Sequence, residues 1–148
     1  MKENFDKALD IVFGLERRVT TNDPDDPGGL TVWGLSKKYN PEVYDGMPES
    51  EIKDIYYRKY WLAAGCNDAP FPMDIVLFDG MVNPQNDPDL PDSGNKELIN
   101  LIPENWQDFL LMRMRRYMEH SKKVYVKGHL FRVLKLYDQI KEFNNERP

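Results

Sequence analysis

Residues 22–29 restrict the fold most, because they read Asn-Asp-Pro-Asp-Asp-Pro-Gly-Gly and cannot continue a helix. Pro24 and Pro27 lack a backbone N–H and fix φ, and each disfavours the helical conformation in the residue before it. Residues with high strand propensity flank this segment on both sides, in 19–21 and again in 30–33. The pattern predicts a small β-hairpin with a long, structured turn.

The segment before the turn has the period of an amphipathic helix. Apolar residues recur at intervals of three and four from Phe5 to Leu15, which places them on one buried face. The proline-rich residues 84–95 are predicted to form a loop. Four further helices are predicted, at about 48–61, 72–82, 103–120 and 125–142.

Five helices with one small β-hairpin after the first predict an α+β fold that is mainly helical. The length of 148 residues fits one domain, so we expect residues 1–148 to form a single domain with its core at about 5–142. The 12% aromatic content is enough to build that core and argues against disorder of the whole chain.

The composition argues against several classes of protein. With 20 basic and 25 acidic residues, the net charge of −5 does not suit a surface that binds nucleic acid. The single cysteine, Cys66, cannot form an internal disulfide and is expected to be a small buried hydrophobe. His120 and His129 lack the spacing of metal ligands, so we predict no metal site.

The sequence also bears on membranes and export. No apolar stretch approaches the ~20 residues that a membrane-spanning helix needs, so stable membrane insertion is not expected. Residues 1–6 carry acids where a signal peptide has a basic start followed by an apolar run. We therefore expect synthesis in the cytoplasm and a separate route out of it for any external activity.

Glu16 and the acidic turn after it are the candidate chemical groups. A hairpin that leaves the first helix and doubles back brings the turn and the second strand close to Glu16. Two carboxylates in one cleft suit glycoside hydrolysis, in which one protonates the leaving oxygen and the other activates water or stabilises positive charge. From these residues alone, a surface glutamate beside a solvated or calcium-binding acidic turn is an open alternative.

The same stretch resembles the signature of the glycoside hydrolase family 108 muramidases, a group of phage-type lysins and bacterial relatives. Glu16 and residues 22–36 are similar to the family's Glu-Gly-Gly followed by Asn-Asp-Pro-x-Asp-Pro-Gly-Gly-x-Thr-x-x-Gly-Ile-Ser/Thr. Residues 55–61 resemble its Ile-Tyr-x-x-x-Tyr-Trp, and residues 77–83 its Leu-Phe-Asp-x-x-Val-Asn. Residues 126–133 resemble its Gly-Trp-x-x-Arg-Val.

The resemblance implies a lysozyme-like fold and a peptidoglycan hydrolase that needs no cofactor. Such an enzyme cleaves the β-1,4 bond between N-acetylmuramic acid and N-acetylglucosamine, with Glu16 as the general acid. Asp26 and Thr31 match the Asp and the Thr of the family's run, and the order of Glu, Asp and Thr also resembles other phage lysozymes, in which the Asp and Thr attend the hydrolytic water. We expect a monomer that acts on glycan strands after release, in the manner of phage lysins, through a separate pore protein. The remaining matched residues are expected to contact the glycan, namely Asn22, Trp33, Tyr60, Trp61, Asp79 and Asn83.

Most of these glycan contacts have a structural alternative. Trp33, Tyr60 and Trp61 could belong to the core, since aromatic residues at helical spacing usually do. Asp79 lies on the apolar face of its predicted helix, so it is either a hydrogen-bond hub or a cleft carboxylate. Asn83 could cap the end of the same helix.

The chain also departs from the family pattern. Arg17 and Arg18 stand where the family has two glycines, and one extra residue separates Glu16 from Asn22. These departures leave open a catalytically silent wall-binding or secretion-accessory module of the same fold. A lytic transglycosylase, which would use the same glutamate as acid and then as base, is a further alternative. The long turn also predicts an inverting reaction, because it leaves room for a water between Glu16 and Asp26.

Overall fold

The computed structural model describes residues 4–16, 18–83, 99 and 105–145. The predicted class, mainly helical α+β with a hairpin after the first helix, is confirmed. The predicted loop at 84–95 lies outside the described residues. The elements follow the order α1 (Phe5–Glu16), β1 (Thr20–Asn22), β2 (Leu30–Val32), β3 (Leu35–Ser36), α2 (Glu49–Tyr56), α3 (Met73–Val82), α4 (Trp106–His120) and α5 (Lys123–Asn145).

The second predicted helix has an irregular end. The α-helical part stops at Tyr56, and the chain continues in a π-helical turn over Tyr57–Trp61. The N–H of Leu62 donates to the carbonyl oxygen of Tyr57 at 3.0 Å, which is the i to i+5 bond of a wider helix. Trp61 at the end of this turn is fully buried.

The predicted hairpin is present, and it continues into a third strand that the sequence did not predict. β1 pairs antiparallel with β2, with Thr21 opposite Thr31. A two-residue turn, Trp33 and Gly34, then returns the chain to β3. Both turn residues have positive φ, 48° at Trp33 and 86° at Gly34. Positive φ at both central positions is the geometry of a type I′ turn, whose twist matches that of paired strands.

An aromatic cluster joins α1, the π-helical turn and α3. The ring of Phe5 meets Trp61 and Phe78 edge to face, with centroids 5.5 and 5.8 Å apart. One face of the sheet completes this core, because Val32 and Leu35 are buried. Across the described ranges, no helix is long and apolar enough to cross a membrane.

Candidate active site

Glu16 is the last residue of α1, and its side chain lies outside the described part of the structure. The backbone around it is fixed by its neighbours. The ring of Phe13, in the last turn of α1, meets the rings of Trp33 and Tyr56 edge to face at 5.3 and 5.5 Å. The N–H of Trp33 donates to the carbonyl oxygen of Val19 at 2.9 Å. The base of the hairpin is therefore packed against the end of α1 that carries Glu16.

At this junction, the backbone of Trp33 has an uncommon conformation. A positive φ is unusual for a bulky residue and costs about 1–3 kcal/mol, so it persists only where other contacts enforce it. Here the hydroxyl of Tyr56 donates to the carbonyl oxygen of Trp33 at 2.7 Å, in addition to the ring contact with Phe13. The half-buried ring of Trp33 thus has a structural role, whatever further contact its exposed part makes.

The acidic turn is built from two side-chain-to-backbone hydrogen bonds. Oδ1 of Asp23 accepts from the N–H of Asp25 at 2.9 Å, and Oδ1 of Asp26 accepts from the N–H of Gly28 at 2.8 Å. These are Asx turns, in which a carboxylate replaces a backbone acceptor. Asp26 is exposed and bonds through Oδ1 only, so its second oxygen is available to a ligand or a water.

Gly28 and Gly29 of the turn meet two different structural requirements. A Cβ at Gly28 would lie 3.2 Å from Oδ1 of Asp26 and 3.4 Å from Cβ of Ser36, so a larger residue would require these neighbours to shift by a few tenths of an ångström. Gly29 has a φ of 63°, in the left-handed region that glycine adopts without cost. The turn that carries Asp26 is therefore seated against the last strand of the sheet.

The sheet presents a row of hydroxyl groups on one face. Thr31 lies opposite Thr21 on β1 and opposite Ser36 on β3. Because directly opposed residues share a face, these three side chains lie on the side away from the buried Val32 and Leu35. The contact of Gly28 with Ser36 places the Asp26 turn at this hydroxyl face.

Ser36 was not among the predicted site residues. Its Oγ is buried and has no hydrogen-bond partner. The hydroxyl of Thr31 is also weakly engaged, since its distance to the carbonyl oxygen of Gly29 is 3.5 Å. Ser36 is the last residue of the segment 22–36 that resembles the family signature. Its position beside Thr31 follows from the strand register and not from the sequence.

The other predicted glycan contacts divide into surface and interior positions. Asn22 is exposed and pairs with Leu30, so its side chain lies on the sheet face opposite to Thr31. Tyr60 is half-buried, and its hydroxyl accepts from the side-chain amide of Asn40 at 3.2 Å. The structure therefore does not bring Asn22 to the hydroxyl face, whereas Asn40, which bonds Tyr60, also donates from Nδ2 to the carbonyl oxygen of Ser36 at 3.2 Å.

Trp61 requires a correction. The sequence predicted a glycan contact, with core packing as the alternative. The side chain is 0% exposed, packs on Phe5 and Phe78, and donates from Nε1 to Oδ1 of Asn67 at 2.8 Å. A ring enclosed on all sides cannot stack on a sugar, so Trp61 is a core residue.

Asp79 requires a correction of the same kind. Its side chain is 0% exposed, and its two oxygens accept hydrogen bonds from Arg113 and Arg132, each at 2.8 Å. Burial alone would raise the pKa of Asp79, but the charges and hydrogen bonds of these two arginines outweigh burial and hold it below its ordinary value. Asp79 is an ionised hub that ties α3 to α4 and α5, and it does not reach a substrate.

Asn83 follows the last residue of α3, and its N–H donates to the carbonyl oxygen of Asp79 at 3.0 Å, which is the predicted capping position. It also lines a cavity of about 360 Å³ together with Leu15. Since Leu15 precedes Glu16 directly, this cavity lies beside the end of α1.

Arg17 and Arg18 replace the two glycines of the family pattern. Arg17 lies outside the described residues. The guanidinium of Arg18 lies 5.3 Å from the ring centroid of Phe13 and donates to Oδ1 of Asp10 at 2.9 Å. Its side chain therefore runs back along α1 toward the middle of the helix.

Two predictions concern residues outside this site. Cys66 is buried as predicted, and burial, followed by the nearby charge of Asp74, raises the pKa of its thiol far above the ordinary value. Among the described side chains, no group of three or more His, Cys, Asp and Glu is arranged to hold a metal ion.

Comparisons with known proteins bear on this site. The family model described as Glycosyl hydrolase 108 matches residues 9–84, just over half of the chain, from α1 to the end of α3. The solved structure of SagA from Brucella abortus is similar with a TM-score of 0.66 over 97% of each chain. At 19% sequence identity that likeness concerns the fold alone. No curated protein matches this chain in sequence.

Proposed function

We infer the function from the premise that this chain belongs to the glycosyl hydrolase 108 family. Family membership supports a glycoside hydrolase that acts on a glycan. The specific proposal is hydrolysis of the β-1,4 bond between N-acetylmuramic acid and N-acetylglucosamine in peptidoglycan. The matched segment contains Glu16, the whole hairpin and α3, so it includes every residue that the proposed chemistry uses.

In the proposed mechanism, Glu16 is the general acid. Its carboxyl group donates a proton to the glycosidic oxygen as the bond to the anomeric carbon breaks, and positive charge develops on the sugar ring. Asp26 is the second carboxylate of the proposed pair. It accepts a proton from the attacking water, which Thr31 orients through its hydroxyl.

One observation carries this proposal, namely the packing of the hairpin against the end of α1. The contact between Phe13 and Trp33 fixes the base of the hairpin beside the last turn of the helix. The turn that carries Asp26 is seated on β3 at the same sheet face as Thr31. The arrangement supports a cleft with an acid on a helix end and a water site on a sheet.

Two further observations concern Asp79 and Arg18. Asp79 is enclosed and ionised between two arginines, so it does not compete with Glu16 for the role of acid. Arg18 is engaged with Asp10, so its charge is directed away from the turn that carries Asp26.

The test is digestion of purified peptidoglycan. The loss of turbidity measures solubilisation, and mass spectrometry identifies the soluble fragments. We expect solubilisation and fragments that end in a reducing N-acetylmuramic acid. Fragments that end in an anhydro sugar would identify a lytic transglycosylase instead. Binding to peptidoglycan without any released fragment would identify the silent wall-binding module.

A further inference from the structure

Basic residues are concentrated in one part of the chain. Residues 113–135 contain eight Lys and Arg and one acid, Glu119, whereas the rest of the chain has 12 basic and 24 acidic residues. Two of the eight, Arg113 and Arg132, are directed inward and bond Asp79. Five of the others are exposed, and within the described part of the chain none of the five forms an ion pair. They are Arg115, Lys122, Lys123, Lys127 and Lys135.

The same part of the chain exposes large apolar side chains where a turn of two residues joins α4 to α5. Val124, in the first turn of α5, is 78% exposed, and Met118, in the last turn of α4, is 67% exposed. The ring of Tyr125 is also more than half exposed, and it stacks on the ring of His129 with centroids 6.3 Å apart. The end of this helical hairpin therefore presents apolar groups to water.

The apolar groups continue along α5 as a groove of about 710 Å³. Val126, Leu130 and Leu134 line it at intervals of four residues, so they lie on one face of the helix. Lys123 and Lys127 line the same groove, so charged and apolar side chains share one surface. We refer to the groove together with Val124 and Tyr125 as the tip surface.

The chemistry of the tip surface limits what can cover it. A glycan or a nucleic acid offers partners to the lysines, but Met118, Val124 and Leu134 form no hydrogen bonds with sugars or phosphates. A bilayer of anionic lipids suits both kinds of group, because it offers phosphates at its surface and acyl chains below them. The apolar stems of the lysines can lie along the apolar side chains while the ammonium groups stay among the phosphates.

The charge distribution also favours one orientation on such a bilayer. An anionic surface attracts the basic segment 113–135 and repels the rest of the chain, in which acids outnumber bases two to one. Tyr125 suits the boundary between headgroups and acyl chains, since its ring is apolar and its hydroxyl is polar. Charge complementarity and exposed apolar groups therefore indicate the same partner.

We propose that the tip surface docks on a membrane of anionic lipids. Val124 and Tyr125 enter the headgroup layer, and the lysines beside them bind lipid phosphates. The chain lies on the membrane in the manner of an interfacial helix, which needs no membrane-spanning segment. The proposal is independent of the proposed hydrolysis, because none of these residues has a role in that mechanism.

The first test is co-sedimentation of the full chain with vesicles of phosphatidylglycerol and phosphatidylcholine, and with vesicles of phosphatidylcholine alone. We expect binding to the anionic vesicles that weakens as the salt concentration rises, and little binding to the neutral ones. Replacing Lys123 and Lys127 together by Gln should weaken the binding about 30-fold at low salt. The matched control is the double variant Lys38→Gln with Lys141→Gln, which removes the same charge outside the tip surface and should bind as the wild type does.

A second pair of variants tests the apolar contact. Val124→Asp should weaken binding to anionic vesicles at least about tenfold, because it replaces an apolar group by a charge that the lipids repel. Tyr39→Asp is the matched control, since Tyr39 is 71% exposed and lies outside the tip surface. Both positions are exposed, so both variants should keep the melting temperature of the wild type.

Three results would overturn the proposal: no binding to anionic vesicles, equal binding to neutral vesicles, or an equal loss of binding in the control variants. A dimer that Val124→Asp dissociates, without vesicle binding, would assign the tip surface to a second copy of the chain. The Glu16→Gln variant should bind vesicles as the wild type does. Solubilisation of peptidoglycan without vesicle binding would therefore reject this proposal alone, and vesicle binding without hydrolysis would reject the proposed function alone.

Discussion

At the scale of single residues, the Asx turn separates the structural role of Asp26 from its proposed chemical role. The bond from the N–H of Gly28 needs only an oxygen acceptor at Oδ1, which an asparagine also supplies. Activation of a water needs the negative charge, which an asparagine lacks. The two roles can therefore be tested apart by one substitution.

Asp26→Asn should lower the rate of peptidoglycan hydrolysis by roughly 10²–10⁴, the contribution typical of a general base. Its melting temperature should stay close to that of the wild type, because the turn keeps its hydrogen bond. The matched control is Asp25→Asn, which changes an exposed acid of the same turn and should leave the rate unchanged. Equal rates for the two variants would remove Asp26 from the mechanism.

At the scale of elements, the hairpin could be predicted because its signals are local. The prolines and glycines of 22–29 forbid helix and permit a reversal, and strand formers flank them. The turn between β2 and β3 could not be predicted, because Trp33 is not a residue that favours positive φ. Its conformation is set by contacts with Phe13 and Tyr56, which lie 20 and 23 residues away in the chain.

The type I′ turn makes a prediction about stability. Gly34→Ala should lower the free energy of unfolding by about 1–2 kcal/mol, because an L side chain is disfavoured at a φ of 86°. Gly14→Ala is the contrasting variant, since Gly14 lies in α1 with nothing within 4 Å of the added Cβ. It should raise the free energy of unfolding by about 0.5–1 kcal/mol. Urea unfolding measures the free energy of unfolding of both variants. A Gly34→Ala variant that is as stable as the wild type would contradict the turn geometry.

The hairpin also predicts the stereochemistry of the reaction. Asp26 lies in a turn beyond β1, so we expect enough distance from Glu16 to admit a water, as in inverting enzymes, whose carboxyl groups are about 6.5–9.5 Å apart. An NMR time course of hydrolysis should then show the α-anomer as the first product. The β-anomer as first product would indicate a retaining reaction and a closer approach of the two carboxyl groups.

At the scale of the whole molecule, the buried cluster of Asp79 joins three helices. An acid on an apolar helix face was visible in the sequence, but its partners were not. Arg113 and Arg132 are 34 and 53 residues away, and only the packing of α4 and α5 brings them to α3. The separation of the proposed catalytic carboxylates is equally a property of tertiary structure, so the sequence could propose candidate site residues but not their geometry.

This cluster predicts how stability depends on pH. The pKa of Asp79 is lowered on folding, so its contribution to the free energy of unfolding is complete above about pH 4, where an unfolded aspartate is ionised. The contribution is lost as the pH falls through the lower pKa of the folded state. Asp79→Asn should cost about 3–5 kcal/mol at pH 7, because it leaves buried guanidinium charge unpaired.

Urea unfolding at pH 7 and at pH 3 measures this effect. The wild type should lose stability on acidification, and Asp79→Asn should lose markedly less. The exposed Asp138→Asn on α5 should retain the acid dependence of the wild type. Identical acid dependence in all three proteins would contradict the role given to the cluster.

The most direct test of the central claim is the rate of peptidoglycan solubilisation by Glu16→Gln. The amide is isosteric with the carboxyl group but cannot donate the proton that departure of the sugar oxygen requires. We predict a loss of at least about 10²–10⁴ in rate with an unchanged circular dichroism spectrum, while the exposed Glu142→Gln retains full activity. A Glu16→Gln variant that solubilises peptidoglycan at close to the wild-type rate would contradict the assignment of Glu16 as the general acid.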